Sequence, residues 1–179
     1  MKNLLLFFAL STTILFTSCE GDPGPPGRDG LDGINILGKV FEVTTNFQYD
    51  NPSNTFSTPF FSYPFDVWES DVVLTYRYEG QTTLGNGQKA DVWTQLPQSI
   101  FYQDGTGDIF QYNFNHTFVD VQFTIEGNFD LTTIGNDYVA NQIFRIAVVP
   151  AEYGKINPSM EELLQMMQMD DSQIEKIEL

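Results

Sequence analysis

The chain has 179 residues, 24 acidic against 8 basic side chains, and a formal charge of −16. That charge repels phosphates and excludes nucleic acid as a partner. A single cysteine excludes an intrachain disulfide, and a single histidine excludes a metal site built on several imidazoles.

Lys2 gives a positive start, residues 4–16 (LLLFFALSTTILF) are almost wholly apolar, and Thr17-Ser18-Cys19 follows. These are the three regions of a secretory signal, and the apolar run is shorter than the ~20 residues a spanning helix needs. Residues 1–18 are therefore expected to be a signal peptide. Leu15-Phe16-Thr17-Ser18-Cys19 resembles the lipobox of signal peptidase II substrates, with Phe16 in place of the usual Leu. The resemblance implies cleavage before Cys19, diacylglycerol on its thiol and acylation of the new amino group. Two or three acyl chains anchor stably where one is marginal. The expected partner is thus a membrane, held through lipid on Cys19. Cleavage removes Lys2 and no acidic residue, so the mature chain is one charge more negative.

Residues 19–33 form the next unit. Gly21, Gly24, Gly27, Gly30 and Gly33 recur at every third position, with Pro23, Pro25 and Pro26 between them. Collagen requires this spacing because only glycine fits the crowded axis of three polyproline-II chains. Four triplets are few, and Asp22, Asp29 and Asp32 would converge in a trimer with only Arg28 to offset them. Such a helix would need a trimerising neighbour. The favoured reading is an extended, collagen-like spacer reaching roughly 37 Å at about 3.1 Å per residue; a homotrimer through this segment is the alternative.

Residues 34–179 read as one β-rich domain. Residues 41–49 alternate apolar and polar, as do 72–79, which is the period of a half-buried strand. Residues 90–96 and 99–103 supply short strands broken at Pro97. Phe110, Tyr112 and Phe114 share one face, Val119, Val121, Phe123 and Ile125 another, and the change of phase places a turn or bulge near Asn115-His116. Residues 142–149 (QIFRIAVV) are apolar on both faces and read as a central strand ended by Pro150. Gly85-Asn86-Gly87, residues 104–108 (DGTGD) and Gly135-Asn136-Asp137 mark turns. About eight short strands at this spacing predict an all-β fold, an antiparallel β-sandwich. Near the end, Asn157 can cap a helix, Pro158 suits its first position, and Met160, Leu163, Leu164 and Met167 form an apolar stripe. A short C-terminal helix is expected there, and a second, weaker helical piece over residues 172–178.

Few residues suggest chemistry. His116 adjoins a turn, and no Gly-x-Ser-x-Gly nucleophile elbow accompanies it. Residues 104–108 could offer oxygen ligands to Ca²⁺ but lack the spacing and bidentate Glu of an EF-hand; a polar hairpin turn is preferred. With 24 acidic residues, any carboxylate pair can be nominated as a glycosidase couple, so none is specific. Gly85-x-Gly87 lacks the helix and Lys-Ser/Thr of a phosphate loop. No catalytic residue, metal ligand or cofactor is expected. Alternation assigns most aromatics to the core. Trp68, Trp93, Tyr63 and Tyr102 are the candidates for stacking on a sugar ring.

The pieces Cys19-Glu20-Gly21, Gly24-Pro25-Pro26-Gly27, Asn35-Ile36-Leu37-Gly38, Val73-Leu74-Thr75-Tyr76-Arg77, Asp91-Val92-Trp93, Leu96-Pro97-Gln98 and Phe144-Arg145-Ile146-Ala147-Val148-Val149-Pro150-Ala151 together resemble small lipoproteins of Bacteroidota. In these a short Gly-x-x run follows the lipidated cysteine and precedes one β-rich domain. The resemblance implies no activity and no functional residue beyond Cys19. Glu20 and Asp22 also resemble the acidic signals that export lipoproteins to the cell surface in that phylum. The expectation is a non-catalytic lipoprotein of the outer membrane, at its surface or its periplasmic face, presenting a β-sandwich for binding or assembly. The alternative is a surface glycan-binding module.

Overall fold

A computed structural model of the chain describes residues 38–101, 105–153 and 157–178. The signal peptide, Cys19, the Gly-x-x segment, Tyr102 and Asp104 lie outside the described residues.

The domain is an all-β sandwich with one short C-terminal helix. Eleven strands are present among the described residues, more than the eight expected, because several pieces are only two to four residues long. They are β1 (Lys39–Thr45), β2 (Gln48–Asp50), β3 (Thr55–Ser57), β4 (Phe61–Ser62), β5 (Asp71–Thr83), β6 (Lys89–Gln95), β7 (Gln98–Phe101), β8 (Ile109–His116), β9 (Asp120–Gly127), β10 (Gln142–Pro150) and β11 (Glu175–Glu178). One sheet runs β11-β1-β10-β5-β6. The other runs β2-β3-β9-β8-β7, with β4 also paired to β9. All pairings are antiparallel except β1 with β11.

The middle of the first sheet (β1, β10 and residues 73–77 of β5) is buried on both faces, and the second sheet on one. Phe41 and Val43 of β1, Val73 of β5 and Phe144, Ile146 and Val148 of β10 face the second sheet. There they meet Phe110, Tyr112, Val121, Phe123 and Ile125. The Phe123 and Phe144 rings stack across the gap, centroids 4.0 Å apart and 10° from parallel. The other face of the first sheet carries Val40, Leu74, Tyr76, Ala147 and Val149, covered by Met160, Leu163 and Met167 of the helix segment and by Ile174. β10 is thus a central strand with both faces covered, as its unbroken apolar run implies. The alternating apolar set of β5 (Leu74, Tyr76) points at the helix and not at the facing sheet. β1 is buried on both faces too, where its alternation suggested one.

Local sequence explains the joints. In the β8–β9 hairpin the turn falls at Thr117-Phe118-Val119, two residues beyond the expected place, closed by Thr117 N–H donating to the Asp120 carbonyl at 2.9 Å. Phe114 then faces Phe123 and Tyr112 faces Ile125. The two phases of the sequence therefore lie on one side of the sheet. Between β3 and β4, the Thr58 hydroxyl accepts from Phe123 N–H at 3.1 Å, standing in for a strand carbonyl. On β5 the register slips between Tyr78 and Gly80, leaving Glu79 as a bulge. Gly80 sits there at φ +107°, a conformation open to glycine.

The helix α1 (Met160–Met166) begins later than expected: its N-cap is Ser159, not Asn157. Ser159 Oγ accepts from Glu162 N–H at 3.2 Å, and the Glu162 carboxylate accepts from Ser159 N–H at 2.8 Å, a reciprocal capping box. Residues 172–178 do not form the expected helical piece. A 3-10 turn (Asp171–Gln173) leads into β11, which extends the first sheet beside β1.

Candidate functional site

Two of the aromatic candidates share one end of the sandwich. Tyr63 and Phe65 set their rings edge-on to Phe41, at 6.0 and 5.8 Å. They pin the loop between β4 and β5 to the core. Tyr63 N–H donates to the Val119 carbonyl at 3.1 Å, and its hydroxyl donates to the Thr117 carbonyl at 3.2 Å, tying this loop to the β8–β9 turn. Burial first, and then the Asp120 carboxylate, push the Tyr63 phenol up to about 12. Tyr63 is therefore a half-buried packing residue. Trp68 is different. Its backbone N–H donates to the Asp71 carboxylate at 2.9 Å while the Asp71 backbone N–H donates back to the Trp68 carbonyl at 2.9 Å. This tight turn holds the indole 71 % exposed. Trp68 stands between two shallow clefts. One, of about 380 Å³, is shared with Lys39, Phe65, Asp66 and Pro150. The other, of about 190 Å³, is shared with Val73, His116 and Phe118.

Trp93 lies on the outer face of the first sheet, in clefts that share no residue with those beside Trp68. The Arg145 guanidinium sits 4.0 Å from its ring centroid, and Tyr78 packs at 5.2 Å. The cation thus occupies part of the ring that a sugar would need. Beside it a cleft of about 490 Å³ has Trp93, Met160, Leu164 and Met169 as apolar lining, with Lys89, Asp91, Glu161, Asp170 and Asp171 around it. Arg145 is buried and held by two carboxylates: Nε donates to Glu42 at 3.0 Å and Nη1 to Asp171 at 2.8 Å. Lys176 approaches the second Glu42 oxygen at 3.2 Å. This network joins β1, β10, β11 and the turn before it.

A second buried arginine closes the gap between the sheets. Arg77 Nε donates to Gln142 Oε1 at 2.9 Å, its guanidinium lies 4.4 Å from the Tyr112 ring centroid, and Nη1 reaches Glu79 at 3.4 Å. Neither arginine stood out in the sequence. The available signal was a base in the middle of an apolar strand, where an unpaired charge is too costly to persist.

His116 is exposed and stacks on Phe114 at 5.9 Å. In the turn after β7, Asp108 N–H donates to Thr106 Oγ1 at 3.3 Å, an internal hydrogen bond of a polar turn. Among the described residues no three His, Cys, Asp or Glu side chains gather as a cation site. No helix among them is long and apolar enough to cross a membrane. Comparison with protein-family models, curated proteins and solved structures gave no match.

Proposed function

We propose that the protein is a lipid-anchored envelope protein. Acyl chains on Cys19 hold it to the outer membrane, the Gly-x-x segment spaces the domain from the bilayer, and the β-sandwich is displayed for binding or assembly. The observation that carries this is the lone cysteine directly after an apolar signal run and two small residues. Among the described residues, the two core clusters draw on positions 40–177. Cys19→Ser is expected to move the protein from the membrane pellet to the aqueous fraction and to abolish incorporation of labelled palmitate. An unchanged pellet, or a wild-type chain that takes up no palmitate, sinks the proposal. Protease added to intact cells then separates surface from periplasmic display, since only surface display exposes the domain to cleavage.

A glycan-binding module is the second reading, and the exposed Trp68 ring between two clefts favours it. A bound sugar would stack there, and Trp68→Ala should weaken binding on a glycan array at least tenfold. Binding that survives this substitution removes the ring from consideration.

A further inference from the structure

The cleft of about 490 Å³ beside Trp93 combines an apolar floor with a rim whose charges do not cancel. Its floor is preformed. Arg145 and Tyr78 clamp the indole at 4.0 and 5.2 Å, and the capping box of Ser159 and Glu162 fixes the start of α1, which carries Leu164. Trp93, Leu164 and Met169 are only half-buried, so part of their apolar surface meets water. Unbranched thioethers such as that of Met169 adapt to apolar groups of different shape. The rim is acidic. Arg145 lines the cleft, but Glu42 at 3.0 Å and Asp171 at 2.8 Å take up its charge. Asp91 accepts from the Gln81 amide at 2.9 Å, Glu161 from the Gln165 amide at 3.4 Å, and Asp170 from Ser172 N–H at 2.8 Å. Those donors are neutral and cancel no charge. Three carboxylates therefore stand against Lys89, the other base among the described lining residues.

We propose that this cleft docks a basic amphipathic segment of a partner protein. Its apolar side chains cover Trp93, Leu164 and Met169, and its lysines or arginines meet the rim. Charge complementarity selects this occupant. An anion, whether a phosphate or a fatty acid, faces three carboxylates and is repelled. A wholly apolar ligand would strip water from those carboxylates and give nothing in return. An alkyl chain with one amine answers one of them. Asp91 stands on β6, Glu161 on α1 and Asp170 at the cap of the turn Asp171–Gln173. Only a chain that carries several cations beside its apolar groups answers all three together. Apolar anchors on one face of such a segment, seated in a groove, are a recurring mode of peptide recognition. The site shares no residue with the clefts at Trp68 and uses neither lipid nor sugar. It therefore goes beyond the reading above and gives the displayed sandwich a partner of opposite charge.

The test uses residues 19–179 with Cys19→Ser, which keep every described element and carry no lipid, so it stands apart from the anchoring proposal. The probe is a synthetic peptide of leucine and lysine, with the leucines spaced to form one apolar helical face. In a Trp68→Phe chain Trp93 is the sole indole, and its emission should shift to the blue as the peptide is added. In a Trp93→Phe chain the emission of Trp68 should stay where it is. Binding should weaken as salt rises, because the rim is exposed. Asp91→Asn combined with Glu161→Gln should weaken it about tenfold with little change in thermal midpoint. Both side chains are exposed, and the new amides can still accept from Gln81 and Gln165. Lys89→Glu removes the opposing base and should tighten binding severalfold, a gain that damage to the fold cannot mimic. Peptides with glutamate for lysine, or with serine for leucine, should not shift Trp93. The proposal is overturned by a Trp93 emission indifferent to the leucine-lysine peptide, or by an affinity indifferent to the rim substitutions. Equal binding of the serine-for-leucine peptide also overturns it, because the attraction is then the net charge of the chain and not the cleft. So does equally tight binding of octylamine, because one cation then suffices.

Discussion

Glu42, Arg145 and Thr75 are three buried polar residues that differ in what their removal should do. Glu42 and Arg145 are 7 % and 3 % exposed and joined at 3.0 Å. Taking away one partner of a buried pair costs roughly 3–5 kcal/mol, because the other is left charged without compensation. Glu42→Ala should fall near the lower bound, since Asp171 still holds Arg145 at 2.8 Å; chemical denaturation of the single and double variants measures the coupling. Thr75 is the opposite case. It is fully buried, and its hydroxyl has no hydrogen-bond partner among the described residues. Thr75→Val keeps the shape and drops the unpaired oxygen, so stability should hold or rise by about 1 kcal/mol. A loss above that size in the denaturation midpoint would mean the hydroxyl is satisfied after all. Tyrosines set the alkaline limit. Burial is the first cause that lifts Tyr63 and Tyr76 from 10.0 to about 12, with Asp120 and Glu162 adding to it. A raised folded-state value means the folded chain holds its proton longer than the unfolded one. The contribution is complete below pH 10 and is lost as pH climbs to about 12. Unfolding followed by circular dichroism should therefore accompany tyrosinate absorbance in that window.

At the scale of elements, α1 is too short to persist alone and depends on its cap and its contacts. Ser159→Ala should cost about 1 kcal/mol, read as a lowered midpoint of thermal unfolding. Hydrogen bonds from Ser159 hold the Glu162 carboxyl below its ordinary value, as those from Thr132 and Ser172 do for Asp130 and Asp170. Depressed carboxyls stabilise fully above their unfolded-state values and progressively less as pH falls through the carboxylate range. The caps of α1 and of the turns at Leu131–Thr133 and Asp171–Gln173 should accordingly loosen together in acid. Tyr76 fastens the helix segment from below, its hydroxyl donating to the Pro158 carbonyl at 2.7 Å. β11 completes the strap by pairing in parallel with β1. Alternation could not disclose that strand, because its four residues, EKIE, carry one apolar side chain.

For the whole molecule, the sequence by itself determined the class of fold, the central place of β10, the turns at Gly85-Asn86-Gly87 and Gly135-Asn136-Asp137 and the apolar stripe of α1. Each follows from local chemistry: period-two alternation, a run apolar on both faces, residues that accept turn geometry, and spacing at one helical turn. It also supplied the lipidation and Gly-x-x expectations, which are covalent features read one residue at a time. Tertiary structure alone decided which layer each strand face meets. The alternating side chains of β5 could have faced either neighbour; pairing with β10 at residues 71–77 and the return of the chain through α1 turned Leu74 and Tyr76 to the helix and Val73 and Arg77 to the facing sheet. The candidate aromatics were sorted in the same way. Tyr63, Trp68 and Trp93 look alike in sequence, yet one is pinned against Phe41, one stands in water on a tight turn, and one lies against a guanidinium from a strand 52 positions away. Those differences arise from contacts between residues far apart in the chain, which local periodicity does not encode.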